Sequence, residues 1–325
     1  MKPIRRHILS SLLLTAASLL APLVQAQDFP TKPITIVVPF SAGGGVDVMA
    51  RLLADKLRAS LGQNVVVDNK PGAAGRVALG EVKRSAPDGQ TFVLSPSGAL
   101  VVLPWLFSNL GYDPVKDFTP VARVVTFDFA LTAGPSAPPG DIKAIMAWMK
   151  ANPGKANYGS PGAGTVPHFT GVLLSQGAGI PMTHVAYKGG APSVHDLLGG
   201  QIPLVIDTPL ETIEHHRAGK LRIVAVTGEQ RTKALPEVPT LKESGIPIVG
   251  DAFFGLYGPP GMPADLTARV SRAVADALKQ PDVSDKIFSL GLTPAYGSGD
   301  ELAATQSAHL KRWEGPVKSS GFKAE

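Results

Sequence analysis

Ile34-Thr35-Ile36-Val37-Val38-Pro39-Phe40-Ser41-Ala42-Gly43-Gly44-Gly45-Val46-Asp47 is the stretch on which the fold turns. Ile34 to Val38 is a short apolar, largely β-branched run, the pattern of a strand buried on both faces. Pro39 to Gly45 cannot continue it, and three glycines let the backbone turn tightly with no side chains over its amides. From Val46 a helical stripe begins: Met49, Leu52, Leu53 and Leu57, with Arg51, Asp55, Lys56 and Arg58 off it. The first amides of a helix lack partners and its dipole is positive there, so the segment offers an anion site. The blander alternative is a tight strand-to-helix turn. No Gly-Lys-Ser/Thr follows, so this is not a phosphate P-loop, and the dinucleotide fingerprint Gly-x-Gly-x-x-Gly is missing. A small anion such as a carboxylate remains.

The same logic recurs along the chain. Asn64 to Asp68 reads as a strand ending in a glycine-bearing loop to Arg76, then a helix with Val77, Leu79, Gly80 and Val82 inward. Pro87-Asp88-Gly89 is a turn, and Thr91 to Leu94 is a third strand ending in Ser95-Pro96-Ser97-Gly98. In a parallel α/β sheet such ends share one edge, where ligands bind. Phe118 to Ala133 is a longer β-prone run able to cross between domains, followed by a helix over Asp141–Lys150 capped near Gly140-Asp141. Ala156 to Phe169 repeats the strand, glycine loop and helix. Thr183–Tyr187 is a strand, and Lys188-Gly189-Gly190 leads into a helix that Gly199-Gly200 stops after Leu198. Strands Ile202–Asp207 and Leu221–Val226 flank a helix over Leu210–Arg217, and Pro236–Thr240 reads as a rigid surface segment. Ala252–Tyr257 crosses back. Pro263–Lys279 is an amphipathic helix, and two shorter helices follow, Asp282–Leu290 and Asp300–Trp313. The outline is two α/β lobes joined by two crossing strands, with glycine loops facing a cleft, as in hinge-closing solute receptors. The expected division is a leader at 1–26, the first lobe at 27–127, the second lobe at 128–250 and a return to the first lobe at 251–325.

Lys2, Arg5 and Arg6 form a basic n-region, Ile8 to Leu23 is mostly apolar and without charge, and Val24-Gln25-Ala26 suits a signal peptidase. The expectation is an exported, periplasmic protein cut after Ala26. Arg5-Arg6 partly matches a twin-arginine signal, so the export route stays open. With no cysteine anywhere, lipoprotein attachment, disulfides, thiolate metal sites and cysteine nucleophiles are excluded. Without the leader, 28 basic residues face 26 acidic ones, so the formal charge drops from +5 to +2. No clustered basic face points to nucleic acid. Aromatics at 6% argue against a carbohydrate-stacking protein, while 35 glycines and 30 prolines spaced between apolar runs suit many strand-to-helix turns.

These motifs together resemble the periplasmic solute receptors of tripartite tricarboxylate transporters, the Bug family. The match runs from about Phe29 to the C-terminus. It is carried by Pro39-Phe40-Ser41-Ala42-Gly43-Gly44 with Asp47-Val48-Met49-Ala50-Arg51, by Asn69-Lys70-Pro71-Gly72-Ala73-Ala74-Gly75 and by Ala86-Pro87-Asp88-Gly89. It continues through Tyr158-Gly159-Ser160-Pro161-Gly162-Ala163-Gly164-Thr165 with His168, Tyr187-Lys188-Gly189 and Asp196-Leu197-Leu198-Gly199-Gly200-Gln201. Gly219-Lys220-Leu221-Arg222 and Leu235-Pro236-Glu237-Val238-Pro239-Thr240 complete it. The resemblance implies a two-lobed periplasmic binding protein fold, type II-like, that closes on a small carboxylated solute without catalysis. It implies a carboxylate held by backbone amides and waters from Phe40–Gly44 and Asp47 on one side and Gly159–Thr165 on the other. It also implies delivery to a large and a small permease subunit. Three positions depart from the family pattern: Val46 where a hydroxyl is frequent, Ala78 where a glycine is usual, and Arg76.

Each candidate residue has a functional and a blander reading. Arg76 could pair bidentately with a second acidic group of the solute, or be a solvated loop cation. Asp47 could orient a ligand, or accept from loop amides and shape the turn. His168 could touch the loop or the solute, or be a satisfied structural histidine. Ser95, Ser97 and Asp207 end strands at the expected cleft edge, and Val46, Tyr187 and Lys188 lie in loops facing it. His215-His216 with Glu211 and Glu214 lacks metal spacing, since adjacent histidines on a helix point about 100° apart, and reads as a solvated helix end. Trp105, Trp148 and Trp313 read as packing residues. Gly159-Ser160-Pro161-Gly162 is not a nucleophile elbow, which leaves an exported hydrolase with little support. A subunit presenting its ligand to a membrane sensor kinase fits the same sequence as well as transport does. The expectation is a monomer with no cofactor, metal or nucleic acid.

Overall fold

The computed structural model describes residues 29–30 and 32–322, so the leader and its cleavage site lie outside the described residues. Two sheets organise them. The first holds β1 (Ile34–Val38), β2 (Val65–Asn69), β3 (Thr91–Pro96), β4 (Thr119–Asp128), β10 (Asp251–Gly258) and β11 (Thr293–Ser298), in the order β11-β4-β10-β3-β1-β2. β1 pairs in parallel with β2 and β3, whereas β10 runs antiparallel between β3 and β4. The second holds β5 (Ala130–Ala133), β6 (Asn157–Ser160), β7 (Thr183–Ala186), β8 (Leu204–Asp207) and β9 (Arg222–Val226), in the order β7-β6-β8-β5-β9.

Helices cover both sheets. α1 (Gly45–Leu61), α2 (Arg76–Lys83) and α3 (Gly98–Val101) follow the strands of the first sheet. α4 (Ile142–Ala151), α5 (Val166–Ala178), α6 (Gly190–Leu198) and α7 (Pro209–Arg217) belong to the second. α8 (Ala264–Leu278), α9 (Pro281–Ser289) and α10 (Gly299–Ser319) return to the first. β1 is buried almost throughout, as its continuous apolar run requires of a strand covered on both faces. Met49, Leu53 and Leu57 of α1 are buried against the sheet, as the helical stripe predicts. The Asp141 side chain caps α4 by accepting from the Ala144 amide. No described helix is long and apolar enough to cross a membrane.

The chain passes between sheets twice. Only Phe129 separates β4 from β5, and the return reaches β10 through Gly250, with Asp128 and Asp251 opposite each other in register. Thr227 ties the two crossings together. Its hydroxyl accepts from the Phe129 amide at 2.8 Å and donates to the Gly250 carbonyl, while its own amide donates to Phe129 at 2.9 Å.

Several sequence expectations need correcting. β11 is a strand the apolar pattern does not announce. The last helix is long and runs to Ser319, with Pro316 inside its final turns. Val77 is 50% exposed, since α2 turns Ala78, Leu79 and Val82 inward instead. Pro236–Thr240 is not a purely surface segment: Val238 and Thr240 are buried, and the chain there pairs with β9 through Val226 to Pro239 and Leu241 to Val226 hydrogen bonds.

Candidate functional site

The C-terminal ends of β1 and β3 open towards the second lobe, and the two lobes meet there around a cavity of about 50 Å³. Its apolar floor comes from the crossings. Phe127 packs edge-on to Phe129 at 5.4 Å and to Phe254 at 4.8 Å, and Ala252 completes the surface. Gly44, Gly45 and Val46 at the start of α1 form one wall. Thr165, Val166 and Pro167 at the start of α5, Gly190 at the start of α6 and Thr208 capping α7 form others. Four helices of eight residues or more therefore aim their amide ends into one cavity. Among the described residues, no Lys, Arg or His lines it.

The first loop is shaped from within. Asp47 accepts from the Gly43 amide at 2.9 Å and from Arg51 Nε at 2.9 Å, so the loop-shaping reading describes its contacts. Burial alone would raise the Asp47 pKa, but Arg51 and the Gly43 amide outweigh it and hold the carboxyl below its usual range. Gly43 takes φ 82, a conformation that Gly adopts at little steric cost. Across the lobe boundary, Ser41 donates through both its amide (3.2 Å) and its hydroxyl (2.7 Å) to the Lys188 carbonyl. The Gly45 amide, first in α1, donates to Glu211 Oε1 of α7.

The structure brings Phe40, Gly44, Val46, Ser97, Thr165 and Asp207 together at the cavity and places the remaining candidates elsewhere. Ala42 and Gly43 are exposed on the loop. Ser95 is buried in β3 and donates to the Pro96 carbonyl. Arg76 turns back into its own lobe, donating to the Leu110 and Asn109 carbonyls at 3.1 and 3.0 Å and lying 4.3 Å over the Phe107 ring. His168 is buried, takes the Gly164 amide on Nδ1 at 3.1 Å and stacks on His184 at 4.0 Å. Burial pushes the His168 pKa down to about 4. Ser160 bonds to Gly162 and His184, and Tyr187 donates to Asp196 at 2.8 Å. Gly159 is buried in β6, Ala163 is exposed, and Lys188 contributes its carbonyl rather than its exposed side chain.

Both loops line one cavity, and each has nearer neighbours of its own across the lobe boundary. Phe40–Gly45 faces Lys188–Ala191 and the start of α7, where Gly189 approaches Phe40 and Gly44 approaches Glu211 and the Ala191 amide. The Gly159–Thr165 loop lies against Ala74, Gly98 and Leu103, which are beside Gly162, Thr165 and Gly164 respectively. Ala73 and Ala74 hold φ 46 and 53, a region costly for a residue with a side chain, and Ala74 is pressed against the cavity.

Sequence reasoning missed Glu211. Its helix does end in solvent at Glu214 and Arg217, but Glu211 sits one turn from the start and enters the cleft. Asp207 beside it is 5% exposed. Burial raises its pKa well above the ordinary carboxylate value, and the Glu211 charge adds to the effect. Burial likewise raises Glu211 to about 7, against the opposing pull of the Gly45 amide. Ser97 Oγ, Asp207 Oδ2 and Thr208 Oγ1 are buried at the cavity with no hydrogen-bond partner. Among the described residues no group of three His, Asp or Glu side chains could hold a metal ion.

Residues 49–322 match the family described as tripartite tricarboxylate transporter family receptor, TctC. Among solved structures, the periplasmic binding protein BugD superposes with a TM-score of 0.88 at 32% identity, covering 91% of this chain and all of that one (100%). A Rhodopseudomonas palustris protein, Rpa4515, solved with adipate, gives a TM-score of 0.87 at 32% identity, covering 90% of this chain and 99% of that one. MatC from the same organism, with bound malate, gives 0.84 at 31% identity, covering 89% and 100%.

Proposed function

The chain belongs to the tripartite tricarboxylate transporter receptor family, and from that premise we propose that it closes its two lobes on a small carboxylate-bearing organic solute and delivers it to the large and small membrane subunits of such a transporter. It is a periplasmic solute-binding receptor and not an enzyme. The observation that carries the solute class is the convergence of four helix N-termini on one cavity that, among the described residues, has no basic side chain. Backbone amides and helix dipoles then supply the positive field that a carboxylate needs, at no cost in side-chain ordering. Adipate and malate in the R. palustris relatives support that choice. The apolar floor of Phe127, Phe129 and Phe254 suits a carbon skeleton, and closure strengthens each hydrogen bond by excluding water.

In this reading the protein is exported, cut after Ala26, and works as a monomer. The solute stabilises the closed form through its higher affinity for it. The test is to identify by mass spectrometry what co-purifies, then to follow thermal shift and small-angle scattering on adding it. A concentration-dependent rise in melting temperature with compaction is expected. Failure of a broad library of organic acids to produce either would overturn the reading.

A further inference from the structure

We propose that the solute carries a cationic nitrogen, held by Asp207 and Glu211, in addition to the carboxylate received by the helix N-termini. This rests on the receptor reading above and names the class of solute that fits its site. Among the described residues, the cavity is lined by two carboxylates and no base. Glu211 spends Oε1 on the Gly45 amide, and its carboxyl fits only because Gly44, Gly45 and Gly190 surround it. A methyl group at Gly190 would overlap it. Asp207 takes its neighbour's amide, Thr208 N–H, on Oδ1 at 2.7 Å, and its Oδ2 has no donor although the residue is 5% exposed.

A buried carboxylate oxygen calls for a donor, and the protein itself supplies none to Oδ2. Two further polar atoms at the cavity lack a protein partner. Ser97 Oγ, on the first lobe, and Thr208 Oγ1, on the second, are 0% and 7% exposed by residue, line the cavity and have no partner. An ammonium has three N–H bonds and no acceptor, which matches two acids and two hydroxyls that can turn their lone pairs inward. A plain dicarboxylate offers none of these donors and would place more negative charge beside Asp207 and Glu211. The rings of Phe127, Phe129 and Phe254 also suit a cation at close range. A zwitterion therefore meets both halves of the cleft: its carboxylate meets the amides and its ammonium meets the acids.

The experiment is calorimetric titration of the mature protein with matched acids that differ only in the amino group. The pairs are glutamate and glutarate, phenylalanine and 3-phenylpropionate, and 6-aminohexanoate and hexanoate. At least one amino member should bind about tenfold more tightly than its counterpart, or better, a difference set by one charge-assisted pair. Asp207→Asn should erase most of that ratio, with thermal unfolding confirming the fold and Glu211→Gln serving as the second variant. Equal or tighter binding of the amine-free acids would overturn the proposal and leave the receptor reading intact. An unchanged ratio in both variants would overturn it too. A co-purifying solute without nitrogen would have the same consequence, whereas silence from every organic acid tested would count against both readings.

Discussion

Glu211 of the second lobe accepts the first amide of α1, that of Gly45, from the first lobe. A carboxylate of the chain itself thus rests at the helix end where a solute carboxylate is expected, and it bridges the two lobes. Solute entry has to be compatible with this contact or displace it.

Closure should therefore depend on pH. Burial raises Glu211 to about 7 when the lobes meet, whereas an open cleft hydrates it and restores an ordinary value. The closed form then holds a proton that the open form releases, so closure is favoured at the acid end and weakens as pH rises through about 7. Asp207 shifts in the same direction. Scattering on the solute-free protein should show the radius of gyration growing between about pH 5 and pH 8, and Glu211→Gln should flatten the change. Growth in the opposite direction would contradict the assignment.

Thr227 should matter to stability more than its size suggests. Replacing it with Val keeps the shape but strands the Phe129 amide and the Gly250 carbonyl in a buried crossing. Loss of about 2–3 kcal/mol is expected in urea unfolding, with Thr227→Ser keeping most of the parent's stability. A Val variant as stable as the parent would show that water replaces the hydroxyl.

The stacked histidines set an acid limit. Burial lowers His168 to about 4 and, helped by the His168 charge, His184 to about 3. Depressed bases take up protons in the unfolded chain first, so their contribution is intact above about pH 6.5 and is lost as pH falls below it. His184→Gln, which can keep the bond to Ser160, should make the fall in melting temperature below about pH 6 shallower. A steeper fall would argue against neutral histidines.

Arg76→Ala should lower stability by about 1–2 kcal/mol through lost bonds to the Asn109 and Leu110 carbonyls and the lost Phe107 stack. Solute affinity should stay near that of the parent. A large drop in affinity with little change in melting temperature would bring Arg76 back to the cleft.

The fold was legible where local pattern and tertiary role agree. Ile34–Asp47 announces a strand, a turn and a helix because each part has its own signature, and the loop it describes lines the cavity. β11 was not legible, since Pro294 and Gly297 break its pattern. As an edge strand with a register shift between those residues, it tolerates both. Glu211 was hidden for another reason. Its neighbours Glu214, His215, His216 and Arg217 make the segment look like a polar helix end, and only the docking of distant lobes puts one member inside. Arg76 shows the converse, a conspicuous charge in a cleft-side loop that has partners in its own lobe.

The insertion of β10 between β3 and β4 has a kinetic consequence. A central strand of the first sheet is made only after the whole second lobe has been synthesised, so the first sheet cannot complete its hydrogen-bond ladder early. Until Asp251–Gly258 arrives, β3 presents an open edge and β4 has no partner in its sheet, since β11 comes later still, and such edges invite wrong pairing. The second lobe, whose strands all lie within one continuous segment, can form first and hold the two ends of the gap near each other. The order of assembly would then run opposite to the order of synthesis, with the N-terminal lobe the last to become native.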